Sequence, residues 1–153
     1  MLVFETSDPG ETEALGEKLA AGLHAGDIVL VRGELGSGKT TLVRGAAREL
    51  GVSDPVTSPT FAIAHRYRGA HVTVAHLDLY RLASLAQEDP GLLDDYLGPD
   101  RIAFVEWPET GAAQFATAAM RVTLTHAGGD RRRIEVCDRR EGSAEDPSAE
   151  AQA

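Results

Sequence analysis

The aliphatic run Ile28-Val29-Leu30-Val31 leads through Arg32 into Gly33-Glu34-Leu35-Gly36-Ser37-Gly38-Lys39-Thr40, and Leu42, Ala46 and Leu50 follow at four-residue spacing. A short continuous aliphatic run suits a strand buried on both faces of a parallel sheet. The glycine-rich segment matches G-x-x-x-x-G-K-[ST] at each fixed position, in the strand-before, helix-after setting that the motif requires. Its glycines let successive backbone N–H groups turn toward one centre, and the N-terminus of the following helix directs partial positive charge there. The expectation is a phosphate-binding loop. Lys39 would reach the β- and γ-phosphates of a triphosphate, and the Thr40 hydroxyl would ligate Mg²⁺. Gly33, Glu34, Leu35, Gly36, Ser37, Gly38, Lys39, Thr40 and Thr41 are the nucleotide-binding residues so predicted. An ordinary glycine-rich turn would not need the flanking strand and helix.

The rest of the chain reads as an α/β domain. Leu2 to Glu5 suits a strand, and Asp8-Pro9-Gly10-Glu11 a helix start, with Asp8 as the cap, Pro9 in the first helical position and Glu11 closing a capping box. Leu15, Leu19 and Leu23 give that helix one apolar face. Gly26 and Asp27 turn the chain, and Gly51 can end the second helix in a left-handed cap. Phe61 to Arg68, Val72 to Asp78 and Ile102 to Trp107 are further strand candidates. A short helix is expected around Leu92, Leu93, Tyr96 and Leu97. Val122 to Thr125 and Ile134 to Val136 flank Gly128-Gly129-Asp130 and predict a closing hairpin. The fold expected is a single P-loop NTPase domain over residues 1–138, with a central, largely parallel but mixed sheet flanked by helices and a C-terminal β-hairpin. Residues 139–153 carry no large apolar group and are predicted to form a disordered acidic tail.

A chain of 153 residues with 42% hydrophobic content can bury a core without staples. The lone Cys137 cannot form an internal bridge, which favours a reducing compartment and hence the cytoplasm. The stretch from Met1 to Ser7 lacks a basic region and a long apolar run, so neither an export nor a membrane segment is expected. The formal net charge of -9 repels a phosphate backbone over most of the surface and argues against tight direct binding of nucleic acid. His65, His71 and His76 have neither partner cysteines nor helical i,i+4 spacing, and such histidines ordinarily find a hydrogen bond rather than a metal.

Phosphoryl chemistry also needs a carboxylate at the carboxyl end of a neighbouring strand, to fix magnesium or the attacking water. Glu106 ends Ile102-Ala103-Phe104-Val105 in this manner, and Asp78 ends Val72-Thr73-Val74-Ala75-His76-Leu77. With Lys39, these two are the candidate catalytic residues. Trp107 suits packing at a strand end, or a face toward a partner or nucleotide.

These pieces together resemble the TsaE (YjeE) family of bacterial ATPases, which serve the synthesis of threonylcarbamoyladenosine in tRNA. The resemblance rests on Gly33 through Gly45, on Ser58-Pro59-Thr60-Phe61, on His76-Leu77-Asp78-Leu79-Tyr80-Arg81-Leu82 and on Val105-Glu106-Trp107-Pro108-Glu109, in the family's order. Weaker agreement runs from Ser7 to the final hairpin. The segment Ala83 to Gly98 departs most from the family's pattern. The resemblance implies an ATPase using ATP and Mg²⁺ beside a TsaD-like threonylcarbamoyl transferase and a TsaB-like companion, reaching tRNA only through them. It implies Thr40 and Glu106 as magnesium ligands, Asp78 as a residue that orients water or supports the magnesium shell, and Thr60 as a γ-phosphate sensor in a switch-like loop. It also implies Arg132 beside the nucleotide, against which stands the reading of Arg131 to Arg133 as a solvated basic turn.

Two other functions compete. A small-molecule kinase is also a short P-loop domain, but it needs an arginine-bearing lid, and Ala83 to Asp100 has no arginine. In a non-catalytic assembly module, ATP would only lock a conformation and both carboxylates would be structural.

Overall fold

In a computed structural model of the chain, residues 1–58, 64–78, 97–107 and 118–140 are described. The most apolar strands lie in the middle of its sheet. Strand β2 (Ile28–Gly33) runs parallel to β5 (Arg101–Trp107) on one side and to β6 (Met120–His126) on the other. Val29, Leu30 and Val31 are accordingly buried on both faces, as the unbroken aliphatic run predicts. Beyond β5 lies β4 (Thr73–Asp78), also parallel, and then β3 (Ala64–Arg68), antiparallel. On the opposite flank β7 (Arg132–Asp138) pairs antiparallel with β6, and β1 (Leu2–Thr6) antiparallel with β7. The resulting order is β1-β7-β6-β2-β5-β4-β3. The sheet is thus mixed, with a parallel centre and antiparallel margins. The predicted final hairpin is present, closed by Gly128 and Gly129 at positive φ. It is longer than predicted, because Met120 is fully buried and extends the apolar stripe of β6.

Among the described residues, two helices cover one face. In α1 (Pro9–Ala20) the Asp8 carboxylate accepts from the Glu11 N–H at 2.9 Å, while the Glu11 side chain accepts from the Ser7 N–H at 2.8 Å. The box therefore closes one residue before the cap, and Asp8 still satisfies one orphan amide of the helix start, that of Glu11. The helix ends at Ala20, so Leu23 packs from the following turn rather than from the helix face. The second helix, α2 (Lys39–Glu49), follows the glycine loop and ends ahead of Gly51, whose φ of 89° is the left-handed value expected of it.

The two helices approach closely through glycine. A Cβ on Gly45 would lie 1.9 Å from the Glu13 carbonyl oxygen, and one on Gly16 would lie 2.2 Å from that of Leu42. At the rim, Arg48 pairs with Glu13 and Glu17 and Arg44 with Glu13. The hydrogen bond to Glu17, and next that to Glu13, holds the Arg48 guanidinium above its ordinary value. Exposed pairs of this kind add little stability. The main core lies between the helices and the sheet, around Leu15, Val29, Val31, Leu42, Val43 and Phe104. A second cluster, including Leu30, Leu77 and Val105, occupies the other face.

Arg139 and Arg140, assigned to the tail by sequence, are tied to the domain. The Arg139 N–H donates to Ala119 at 2.9 Å, and Arg140 pairs with Asp27 and Asp138. The remainder of the expected tail lies outside the described residues, as do Phe61 to Ile63 of the β3 candidate and most of the helix expected around Leu92.

Candidate active site

The glycine loop joins the carboxyl end of β2 to the amino end of α2 at the centre of the sheet. Gly36 and Gly38 take positive φ of 75° and 100°, which an L side chain rarely adopts, and the Ser37 N–H closes a turn onto the Glu34 carbonyl at 3.0 Å. Gly38 is the N-cap of α2 and contributes no side-chain cap bond. The first amides of α2, which have no acceptor within the helix, are thus left for an external anion. Gly33 is needed for space: a Cβ there would meet Ser37 Oγ at 2.3 Å and the Leu124 carbonyl oxygen at 2.8 Å. Lys39 folds back over the loop, its Nζ donating to the Gly33 carbonyl oxygen at 2.6 Å. Glu34, Leu35 and Gly36 form an exposed tip, with Leu35 95% exposed. Thr41 is half-buried on the first turn of α2.

The hairpin braces this loop from the side. From β7, Arg132 donates through Nε to the Ser37 carbonyl oxygen at 3.0 Å and through Nη2 to that of Gly36 at 3.1 Å. Its Nη1 donates to the carbonyls of Gly129 and Arg131 within its own turn at 2.6 and 2.8 Å. Arg132 is therefore not a solvated member of a basic turn. It links the last hairpin to the first functional loop.

Across the parallel strands, Val31, Glu106 and Asp78 lie in one register row, so both predicted acids reach the end of the sheet from which the loop departs. Glu106 is 7% exposed. Thr40 approaches it from α2, Oγ1 donating to Glu106 Oε1 at 3.4 Å. Asp78 is placed beside Glu106 by its backbone register. Thr60 lies outside the described residues. Just before it, the Thr57 N–H donates to the Tyr67 hydroxyl at 3.3 Å, and His65 Nδ1 lies 3.2 Å from the Thr57 carbonyl oxygen. The Arg44 guanidinium donates to the neighbouring Val56 carbonyl at 3.4 Å.

His76 corrects the sequence reading. His65 finds ordinary hydrogen bonds, as expected of a histidine on a strand, whereas His76 does not. Its side chain is fully buried, and neither ring nitrogen meets hydrogen-bond geometry with a described residue. Yet Nε2 stands 2.8 Å from Glu106 Oε1. The separation is that of a hydrogen bond, without its direction. The available sequence signal was position: His76 precedes Asp78 by one strand period, and so falls on the same register stripe as the acids.

A loop of amides, an ammonium, a hydroxyl and a carboxylate thus converge at one sheet end, an arrangement able to hold a polyanion together with a hard cation. The family described as threonylcarbamoyl adenosine biosynthesis protein TsaE matches residues 6–134. Among relatives named tRNA threonylcarbamoyladenosine biosynthesis protein TsaE, that of Bacillus subtilis is 35% identical over 133 residues, covering 87% of this chain and 83% of its own. That of Streptomyces coelicolor is 42% identical over 118 residues, covering 76% of this chain and 80% of its own. The crystal structure of Bacillus subtilis YdiB superposes with a TM-score of 0.68 at 28% identity, over 98% of this chain and 92% of that one. The matched span contains the phosphate loop, both acids, His76 and Arg132, and on these grounds the chain belongs to the TsaE family.

Proposed function

We propose that this chain is the magnesium-dependent, ATP-binding and ATP-hydrolysing member of the machinery that makes threonylcarbamoyladenosine in tRNA, acting in the cytoplasm beside a TsaD-like transferase and a TsaB-like companion. The observation that carries this reading is the meeting of Thr40 Oγ1 and Glu106 Oε1 at 3.4 Å beside the uncapped start of α2. A hydroxyl and a carboxylate are the oxygen donors Mg²⁺ prefers, and Mg²⁺ is commonly held by one or two protein ligands together with nucleotide phosphates. The residues present fit the ion. When bound, magnesium neutralises charge on the β- and γ-phosphates.

The chain's own groups do the rest. The amides of Gly36 and of Gly38 to Thr41 receive phosphate oxygens while the Ser37 N–H holds the turn onto Glu34, and Lys39 exchanges a neutral carbonyl acceptor for a charged one, a stronger hydrogen bond. Glu106 would hold the magnesium together with Thr40, and Asp78, beside it in register, would orient water. Thr60 senses the γ-phosphate. Arg132 shapes the loop with its guanidinium engaged on carbonyl oxygens, which leaves transition-state charge to be met from elsewhere. An arginine supplied in trans is worth roughly 10³- to 10⁵-fold in such sites, so turnover by the chain alone should be slow. The net charge of -9 supports contact with tRNA through the partners only. The test is phosphate release by the isolated chain, with tRNA added, and with the transferase and companion added. A rise with the proteins alone is expected. Full activity in isolation, or stimulation by tRNA alone, would overturn the reading.

A further inference from the structure

The buried imidazole of His76 needs an explanation that packing does not provide. Leaving a polar group in the interior without an aligned partner costs stability, and an apolar residue of similar size would avoid that cost. Its cross-strand neighbours are Phe104 on β5, which is apolar, and His65 on β3, whose ring Nδ1 is engaged with Thr57 and Tyr67. The carboxylate of Glu106 lies within reach of the ring, with Oε1 2.8 Å from Nε2. Both recorded contacts of that carboxylate, from Thr40 and from His76, fall on Oε1. Neither uses Oε2.

We propose that His76 is a positioning residue for Glu106, its Nε2–H taking Oε1 so that Oε2 is the oxygen presented to the magnesium shell. The inference rests on the assignment of Glu106 to the metal and extends it to the group that orients the ligand. Partners of this kind, one contact removed from a metal, change its affinity by about 10- to 100-fold when lost. His76 touches neither phosphate nor water in this scheme and acts only through Glu106.

The test is the affinity of the full chain for a fluorescent ATP analogue, measured in excess Mg²⁺ and in a chelator. The parent should bind more tightly with the metal, and Glu106→Gln should lose that gain. His76→Leu should melt cooperatively, bind as the parent does in chelator, and lose about tenfold or more of the magnesium-dependent gain. His76→Gln, whose amide N–H₂ reaches the place of Nε2, should recover most of it. If Glu106→Gln loses the gain and His76→Leu keeps it, the inference about His76 falls alone. If Glu106→Gln keeps the gain, the metal assignment falls and the inference with it. Equal damage to chelator affinity and melting by both His76 variants would mark the histidine as merely structural and overturn the proposal.

Discussion

Arg132 Nε donates to the carbonyl oxygen of Ser37 at 3.0 Å, across 95 residues of chain. The bond runs from the last strand to the glycine loop, and a second one, to Gly36 at 3.1 Å, fixes the adjacent peptide. Together they hold the Gly36–Ser37 and Ser37–Gly38 peptides of the loop. A guanidinium can span several carbonyls at once, whereas an ammonium cannot match that fork.

Replacing Arg132 by Met should therefore loosen the loop without unfolding the domain. Amide exchange at Leu35 to Gly38 should quicken, and ATP affinity should fall about tenfold, the equivalent of one charge-assisted bond. Arg132→Lys should restore little. Exchange mass spectrometry and calorimetry on the same samples check both effects, and unchanged loop protection would contradict the bracing role.

Lys39→Ala removes the 2.6 Å bond to Gly33 as well as the charge that would meet phosphate. Because Lys39 is only half-buried, cooperative melting should persist. Nucleotide affinity should drop on the order of 10- to 100-fold. Parent-like binding by calorimetry would rule out the phosphate role.

Glu106→Gln keeps size but loses the charge that supports magnesium, so it should spare nucleotide binding more than turnover. Asp78→Asn, in the register position beside it, should behave similarly. The comparison is of phosphate release in the presence of the partner proteins. Parent rates for both variants would refute the assignment of the two acids.

Gly45→Ala sets two effects against each other. Helix propensity favours alanine by about 1 kcal/mol, but the new Cβ would sit 1.9 Å from the Glu13 carbonyl oxygen, which is backbone and cannot swing away. Overpacking typically costs about 1–3 kcal/mol and more where backbone must shift. Net destabilisation is expected, visible as a lower melting temperature; an unchanged or raised one would show that α1 and α2 separate freely.

The sequence by itself determined the elements whose cause is local. The loop from Gly33 to Thr40, the cap at Asp8, the turn at Gly51 and the buried character of Ile28 to Val31 follow from backbone freedom, capping chemistry and apolar periodicity, which act over a few residues. The acids Asp78 and Glu106 were legible for the same reason, as polar ends of apolar strands. Tertiary structure alone decided the parallel pairings of β2 with β5 and of β5 with β4, which place Val31, Glu106 and Asp78 in one row. It also decided the close crossing at Gly16 and Gly45, the landing of Arg132 on the loop and the burial of His76 against Glu106. Each of these joins segments far apart in the chain, so its energy depends on register and packing rather than on neighbouring residues. A histidine on a strand reads the same whether it faces water or a carboxylate, and only the stacking of β4 beside β5 distinguishes the two.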